Sequence, residues 1–409
     1  MFVVAVVTVS PNRDPWRLGR AKTRSLPFRR LLIPFLRIVR IAIDARKWRD
    51  YGIGTYVRNL LRHLARLDQA TDYVVLCHQR DRNVAGELGA NFQAVIDASP
   101  GYSIREQVTI PLDLRRERIK LFHTPHYVLP PLTPCRSVVT IHDCIHLRFP
   151  QYLPNRLAYA YARTSMWVAT HRSSRVLTVS EASKRDILEY FHIPESKIDV
   201  IYNGIDERFW SPPDPEDSDR IRERYQLDGR FVLYAGNIKP HKNLERLIDA
   251  FHTLRNSQGF DDVKLLIIGD EISKYATLRR AVHKHKLHKH VRFFGFVSNQ
   301  TLAVLYRLAV VFVFPSLYEG FGLPPLEAMA SGTPVITSNV SSLPEVVGDA
   351  ALLIDPYQPD AIASAMERVL NDAGLRDDLR ARGLRRAREF SWDHTARRVR
   401  AIYDEVLAG

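Results

Sequence analysis

At 409 residues the chain is too long for one ordinary core; two or three domains are expected, with two as the working count. Hydrophobic residues at 45% and charged residues at 25% match globular averages, which excludes wholesale disorder, a collagen-like fibre and a disulfide-stapled mini-protein. The net charge of +14 is concentrated at one end. Residues 1–40 hold nine basic side chains against a single acid, Asp14, so the folded body is only mildly basic and no nucleic-acid partner is expected. Cys77, Cys135 and Cys144 show no C-x-x-C spacing, which argues for reduced thiols in a cytoplasmic setting and against a structural zinc.

Residues 1–38 read as a basic leader. The apolar run from Phe2 to Val9 has no basic residue before it and no small-residue cleavage site after it, unlike a signal peptide. No segment reaches the roughly 18 uninterrupted apolar residues that a spanning helix needs. Trp16, Leu18, Leu26, Phe28 and Leu31 to Leu36 are interleaved with arginine and lysine, a pattern suited to peripheral contact with an anionic membrane. A dispensable or disordered leader with an over-extended start is the equal alternative.

From Val39 the texture becomes regular. Ile41 to Asp44 reads as a buried strand, Tyr51-Gly52-Ile53-Gly54-Thr55 as a glycine loop, and Tyr56, Val57, Leu60, Leu61, Leu64 and Leu67 as one face of a helix. Further strands are predicted at Tyr73–Cys77, Ala94–Ile96, Leu121–Phe122, Val138–Ile141 and Val176–Val179, with Ser180 as an N-cap for a helix through Ser183 to Tyr190. A Pro- and acid-rich stretch from Ser211 to Asp217 marks a connection between domains. A second series follows: strands at Phe231–Tyr234, Leu265–Ile268, Val291–Phe294, Val310–Phe314, Pro334–Thr337 and Leu352–Ile354, with a helix over Leu244–Leu254. Strands alternating with helices in both halves predict an α/β protein of two facing, Rossmann-like, doubly wound domains with an interdomain cleft. The expected division is 1–38 leader, 39–203 N-terminal domain, 204–388 C-terminal domain, and a final helix over 389–409 returning to the N-terminal domain.

The densest chemical signal is Pro315 to Glu327, placed just after a predicted strand and therefore at its carboxyl edge. Gly320 and Gly322 let backbone amides approach a ligand closely, and Pro324 and Pro325 suit the first turn of a helix, whose N-terminus favours anions. Glu319 in the loop and Glu327 one turn into the helix are two separated carboxylates able to accept hydrogen bonds from vicinal hydroxyls, as on sugars and riboses. Taken singly, each is equally a helix cap or a solvated glutamate. The run His283 to His290 holds no cysteine or carboxylate and reads as a solvated helix end, so no metal is expected.

The motif Glu319-Gly320-Phe321-Gly322-Leu323-Pro324-Pro325-Leu326-Glu327 resembles the paired-glutamate signature of family-4 retaining glycosyltransferases of GT-B architecture. Gly52 to Tyr56, Thr140 to Asp143, Thr178 to Ser183, Asn203 to Asp206, Gly236 to Leu244 and Gly295 to Val297 match further family segments in the right order. The stretches Gly332 to Ile336 and Ser342 to Glu345 are most similar to a bacterial O-antigen mannosyltransferase subgroup. The resemblance implies that Glu319 contacts donor-sugar hydroxyls and Glu327 the nucleotide ribose. It further implies that amides near Gly322 and Leu323 face the diphosphate, that Lys242 neutralises it, and that backbone at Phe296 and Val297 meets the base. His142 corresponds to a histidine directed at the donor sugar. Gly52 and Gly54 correspond to a loop near phosphate and acceptor, although a bare strand-to-helix turn would use glycine too. Two positions depart from the family pattern, Asn237 and His241, where arginine is frequent, so the phosphate clamp is expected to lean on Lys242 with help from Lys239 or a protonated His241. His123 and His126 are further candidates for the acceptor side.

The resulting expectation is a metal- and cofactor-independent retaining hexosyltransferase, with GDP-mannose the favoured donor and a glycan or lipid-linked hydroxyl the acceptor. A sugar-nucleotide epimerase of the same architecture and a basic nucleic-acid-binding protein are the alternatives.

Overall fold

The computed structural model describes residues 39–212, 214–269 and 275–409. The leader expected over 1–38 lies outside the described residues.

Two parallel sheets organise the chain. The first joins β1 (Arg40–Asp44), β2 (Asp72–Cys77), β3 (Phe92–Ile96), β4 (Leu121–Thr124), β5 (Arg136–Ile141), β6 (Arg175–Thr178) and β7 (Ile198–Val200) in the order β3-β2-β1-β4-β5-β6-β7. The second joins β8 (Phe231–Ala235), β9 (Lys264–Ile268), β10 (Val291–Phe294), β11 (Val311–Phe314), β12 (Val335–Ser338) and β13 (Leu352–Ile354) in the order β10-β9-β8-β11-β12-β13. This is the doubly wound arrangement expected from the alternating pattern. Strand order reverses between β1 and β4 in one sheet and between β8 and β11 in the other, and ligands in such sheets bind outside the carboxyl ends at that reversal.

The strands read as continuous apolar runs because both faces are covered. Ile41, Ile43, Tyr73, Val75 and Cys77 belong to one cluster of the N-terminal half, while the intervening Ala42, Val74 and Leu76 belong to the cluster on the opposite face. A two-residue period thus splits each run between two helical layers. The strand β7 was not anticipated; it is three residues long, with only Ile198 fully buried, too short a pattern to register.

The last helix, Trp392–Ala408, packs its buried face of Trp392, Ala396, Val399, Ile402, Tyr403 and Val406 into the first of those N-terminal clusters, alongside Tyr56, Leu60 and Leu64 of the helix Ile53–Leu67. The Thr395 hydroxyl donates to the Tyr202 carbonyl at 2.7 Å, tying the returning chain to the outgoing one. Glycine at 204 is demanded by that crossing: a Cβ there would lie 2.0 Å from the backbone nitrogen of Trp392. No relaxation of a flexible side chain can relieve a clash with backbone. Gly204→Ala is therefore expected to cost about 3 kcal/mol or to prevent folding, a direct overpacking penalty. A melting temperature equal to that of the parent protein would show the crossing to be more pliable than its geometry implies.

Candidate active site

The residues following β8 and β11, the strands that flank the order reversal of the second sheet, supply most of the charged groups. After β8 the chain turns through Gly236 and Asn237 to the short turn Pro240–Lys242, and after β11 it runs through Pro315 to Glu319 before the helix Leu323–Ala330. The Lys242 ammonium lies 2.5 Å from Glu319 Oε1, and the two side chains are only 10% and 12% exposed. The Ser316 hydroxyl donates to the same Oε1 at 2.6 Å. An ion pair this enclosed keeps both charges compensated while leaving them at the wall of a cavity of about 820 Å³.

The backbone of the Glu319 loop is held as firmly as its carboxylate. The Glu319 carbonyl accepts from the hydroxyls of Ser341 (2.7 Å) and Ser342 (2.9 Å). The Glu319 amide in turn donates to Ser341 Oγ at 3.2 Å. Gly322 adopts φ +118°, a value that favours glycine, and leads into a helix whose second and third residues are Pro324 and Pro325.

Glu327 lies one turn into that helix, with Oε2 accepting from the Tyr306 hydroxyl at 3.4 Å. Burial pushes its carboxyl up to about 7. The two glutamates thus meet different surroundings: Glu319 faces a cation, Glu327 a phenol in a desolvated wall.

The N-terminal half contributes the opposite wall. His142, at the end of β5, donates from Nε2 to the Pro125 carbonyl at 3.0 Å and packs edge-on against Tyr56 with centroids 4.9 Å apart. Burial holds its pKa down to about 4, so the ring is neutral near pH 7 and its Nδ1 carries a lone pair. Asp143 beside it has a raised pKa, caused first by burial and then, among others, by the nearby Glu319 carboxylate. Gly52, with φ +66°, lines the cavity as well.

Glu319, Lys242, Glu327, His142, Asn237, Gly52 and the segments Gly320 to Leu323 and Phe296 to Val297 all line this one cavity. Gly54 does not; it sits where a Cβ would come within 2.6 Å of the Trp48 carbonyl, so its glycine serves close packing at a helix start. The expectation of a protonated His241 is corrected: burial, reinforced by Lys242 and Lys239, depresses its pKa to about 3, and the ring is uncharged. His123 and His126 do not reach the acceptor side either. His123 is wholly buried between the Tyr403 hydroxyl (2.5 Å) and Thr140 (2.8 Å), and His126 packs against Asp44 at 3.3 Å.

Several residues that close the cleft went unnoticed in the sequence. The Glu345 carboxylate accepts from the first two amides of the helix Glu181–Phe191 (2.7 and 3.1 Å) and from the Tyr202 hydroxyl (2.8 Å), so an acid of the C-terminal half caps a helix of the other. The Tyr318 hydroxyl donates to Asp186 at 2.6 Å and accepts from the Cys144 amide. Glu345 stood within a quoted motif, but only a tertiary contact reveals what it caps.

The buried Glu327 has a consequence for stability. Its folded pKa of about 7 exceeds the ordinary 4.5, so between those values the folded chain binds more protons than the unfolded one and stability falls as pH rises. Glu327→Gln lacks this loss and is expected to gain about 3 kcal/mol over the parent at pH 8 relative to pH 4, read from urea unfolding at the two pH values. An identical difference at both would contradict the buried carboxylate.

Comparisons with known proteins follow the same division of the chain. Residues 51–209 match the family model described as Glycosyltransferase Family 4, and residues 216–386 match Glycosyl transferases group 1. O-antigen chain mannosyltransferase B of Escherichia coli is 35% identical over 282 residues, covering 69% of this chain and 73% of that relative. A D-inositol 3-phosphate glycosyltransferase of Jonesia denitrificans is 31% identical over 280 residues, 66% of each chain. Among solved structures, sucrose-phosphate synthase from Thermosynechococcus elongatus superposes with a TM-score of 0.75 at 22% identity, covering 90% of this chain and 99% of that one. WaaG, a glycosyltransferase involved in lipopolysaccharide biosynthesis, does so with 0.72 at 16% identity, covering 88% and 99%. These superpositions establish the GT-B fold. With both halves matched and the mannosyltransferase covered over most of its length, the chain belongs to the group 1 and family 4 glycosyltransferases.

Proposed function

We propose that this glycosyltransferase moves a hexose, with mannose from GDP-mannose the favoured donor, onto a hydroxyl of a glycan or lipid-linked saccharide with retention of anomeric configuration. The observation that carries this reading is the convergence of Lys242, Glu319, Glu327 and His142 on one cavity between the two sheets. Mannose as the donor sugar rests on the similarity to O-antigen mannosyltransferases, a name that belongs to those relatives.

In this reading the diphosphate approaches the amides near Gly322 and Leu323 and offers Lys242 a denser charge than one carboxylate can. Lys242 turns to the phosphate, and Glu319 is released to accept hydrogen bonds from sugar hydroxyls. Glu327, ionised by the bonds it receives, holds the ribose hydroxyls, while backbone at Phe296 and Val297 meets the base. The bond from the anomeric carbon to the phosphate oxygen breaks, and the acceptor oxygen forms its bond on the same face. The acceptor's proton passes to the departing phosphate oxygen. The Lys242 ammonium, once turned to the leaving diphosphate, stabilises the charge that develops there. His142, neutral and held by Pro125, presents Nδ1 as an acceptor and needs no protonation change.

The experiment is a donor panel of GDP-mannose, UDP-glucose and related sugars, followed by release of nucleoside diphosphate with and without a saccharide acceptor. Glu319→Ala and Lys242→Ala are each expected to lower kcat by about 10²- to 10³-fold. Turnover within tenfold of the parent in both would sink the assignment. Donor affinity is also expected to weaken as pH falls below about 7, where Glu327 takes up a proton; a flat profile between pH 6 and 8 would exclude Glu327 as the ribose acceptor.

A further inference from the structure

The wall that the N-terminal half turns toward the cavity has a composition that identifies the chemistry of the acceptor. Phe149 and Tyr152 stack nearly parallel, 9° between planes and 5.3 Å between centroids, and both line the cavity. Tyr152 keeps 39% of its surface open. The pair stands beside the reacting groups: Phe149 meets Tyr318 edge-on at 5.7 Å, one residue before Glu319, and Tyr152 lies 6.3 Å from His241, one residue before Lys242. Gln151 and His146 line the same cavity with polar groups.

Charge completes the picture. Among the described residues that the N-terminal half places on the cavity there is no lysine or arginine, and the single acid is Asp143. Arg148, adjacent in sequence to Phe149, lines instead a second hollow of about 290 Å³ with Arg185, on the far side of Phe149 and Tyr318, which border both. Among the described residues of this wall a phosphate on the acceptor would thus meet no cation and would face a carboxyl group, at an electrostatic cost, the lysines of the cavity, Lys239 and Lys242, belonging to the other half. A pyranose offers the complementary surface: an apolar C–H face for the rings and a rim of hydroxyls for Gln151, His146 and Asp143. Pockets that combine aromatic faces with a few directed polar groups recognise such ligands.

We propose that Phe149 and Tyr152 form a stacking subsite for an uncharged sugar ring of the acceptor, so that the hydroxyl receiving the hexose belongs to a neutral saccharide and not to a phosphorylated one. The proposal rests on the transferase reading above and names the acceptor class for the same cleft.

Two measurements test it. Binding of methyl α-mannopyranoside and methyl β-glucopyranoside to the protein loaded with nucleoside diphosphate, followed by saturation-transfer NMR, requires no turnover. Kinetics at saturating donor then compare these glycosides with mannose 6-phosphate and glucose 6-phosphate as acceptors. The methyl glycosides are expected to bind through their ring protons and to have lower KM than the phosphorylated sugars. Phe149→Ala and Tyr152→Ala are each expected to raise the acceptor KM about five- to tenfold, while Tyr152→Phe, which keeps the face and loses only the hydroxyl, retains the parental value. The Kd for nucleoside diphosphate serves as the check on folding of each variant. Absence of glycoside binding, a lower KM for the phosphorylated sugars, or unchanged acceptor KM in both alanine variants overturns the subsite. Glycoside binding without any donor turnover would instead overturn the transferase reading and leave the stacking site standing.

Discussion

A Cβ atom at position 320 would lie 2.3 Å from the carbonyl oxygen of His142, and the rest of the cleft depends on that closeness. The loop that carries Glu319 and the strand end that carries His142 belong to different sheets, and only a residue without a side chain lets their backbones touch. Around the contact, the Gly320 carbonyl accepts from the Ser180 hydroxyl at 2.7 Å, while Ser183 Oγ lies within reach of both Gly320 and His142 carbonyls. Glycine here serves close approach of two chains and not an unusual dihedral, since its φ is not among the positive values. The contact sets the width of the cavity, because it fixes where the wall bearing Glu319 meets the wall bearing His142.

Within that frame the electrostatics are arranged as compensated pairs and neutral rings. Lys242 and Glu319 satisfy one another where little water reaches either. His142 and His241 are both kept uncharged by burial, so the cavity carries fewer cations than a count of its basic residues suggests. A lysine paired with a carboxylate leaves little net charge to bury in the wall of the cavity. Elsewhere the same burial has a structural use. His123 bridges Tyr403 of the last helix to Thr140 of β5, tying the returning helix to the strand on which His142 ends.

The two walls of the cavity differ in composition. The C-terminal half presents glutamates, a lysine and helix-start amides, a set suited to the hydroxyls and phosphates of a nucleotide sugar. The N-terminal half presents aromatic faces, two histidines and one acid. The two family models meet between these halves, one ending at residue 209 and the other beginning at residue 216.

The sequence alone determined the fold class and the alternation of strands and helices, because these are local patterns: apolar runs of strand length, glycines at strand ends, and prolines in a helix's first turn; Glu319, Glu327 and Lys242 were joined into one group only by the resemblance to a known family. What it left undetermined was every property that depends on neighbours distant along the chain. His123 and His126 looked equivalent to His142 as histidines near strand ends, yet burial against Tyr403 and Asp44 removes the first two from the cleft. His241 looked like a cation until desolvation and two lysines made it neutral. Glu345 gave no sign of its role, since capping a helix more than 160 residues away is created by folding, and the Phe149–Tyr152 pair, only three residues apart, became part of the cleft only where folding set it on the cavity wall. Local periodicity and turn chemistry are written in adjacent residues, whereas proton affinity, access to the cavity and the meeting of two walls are set by what packs around a side chain, which only the tertiary structure decides.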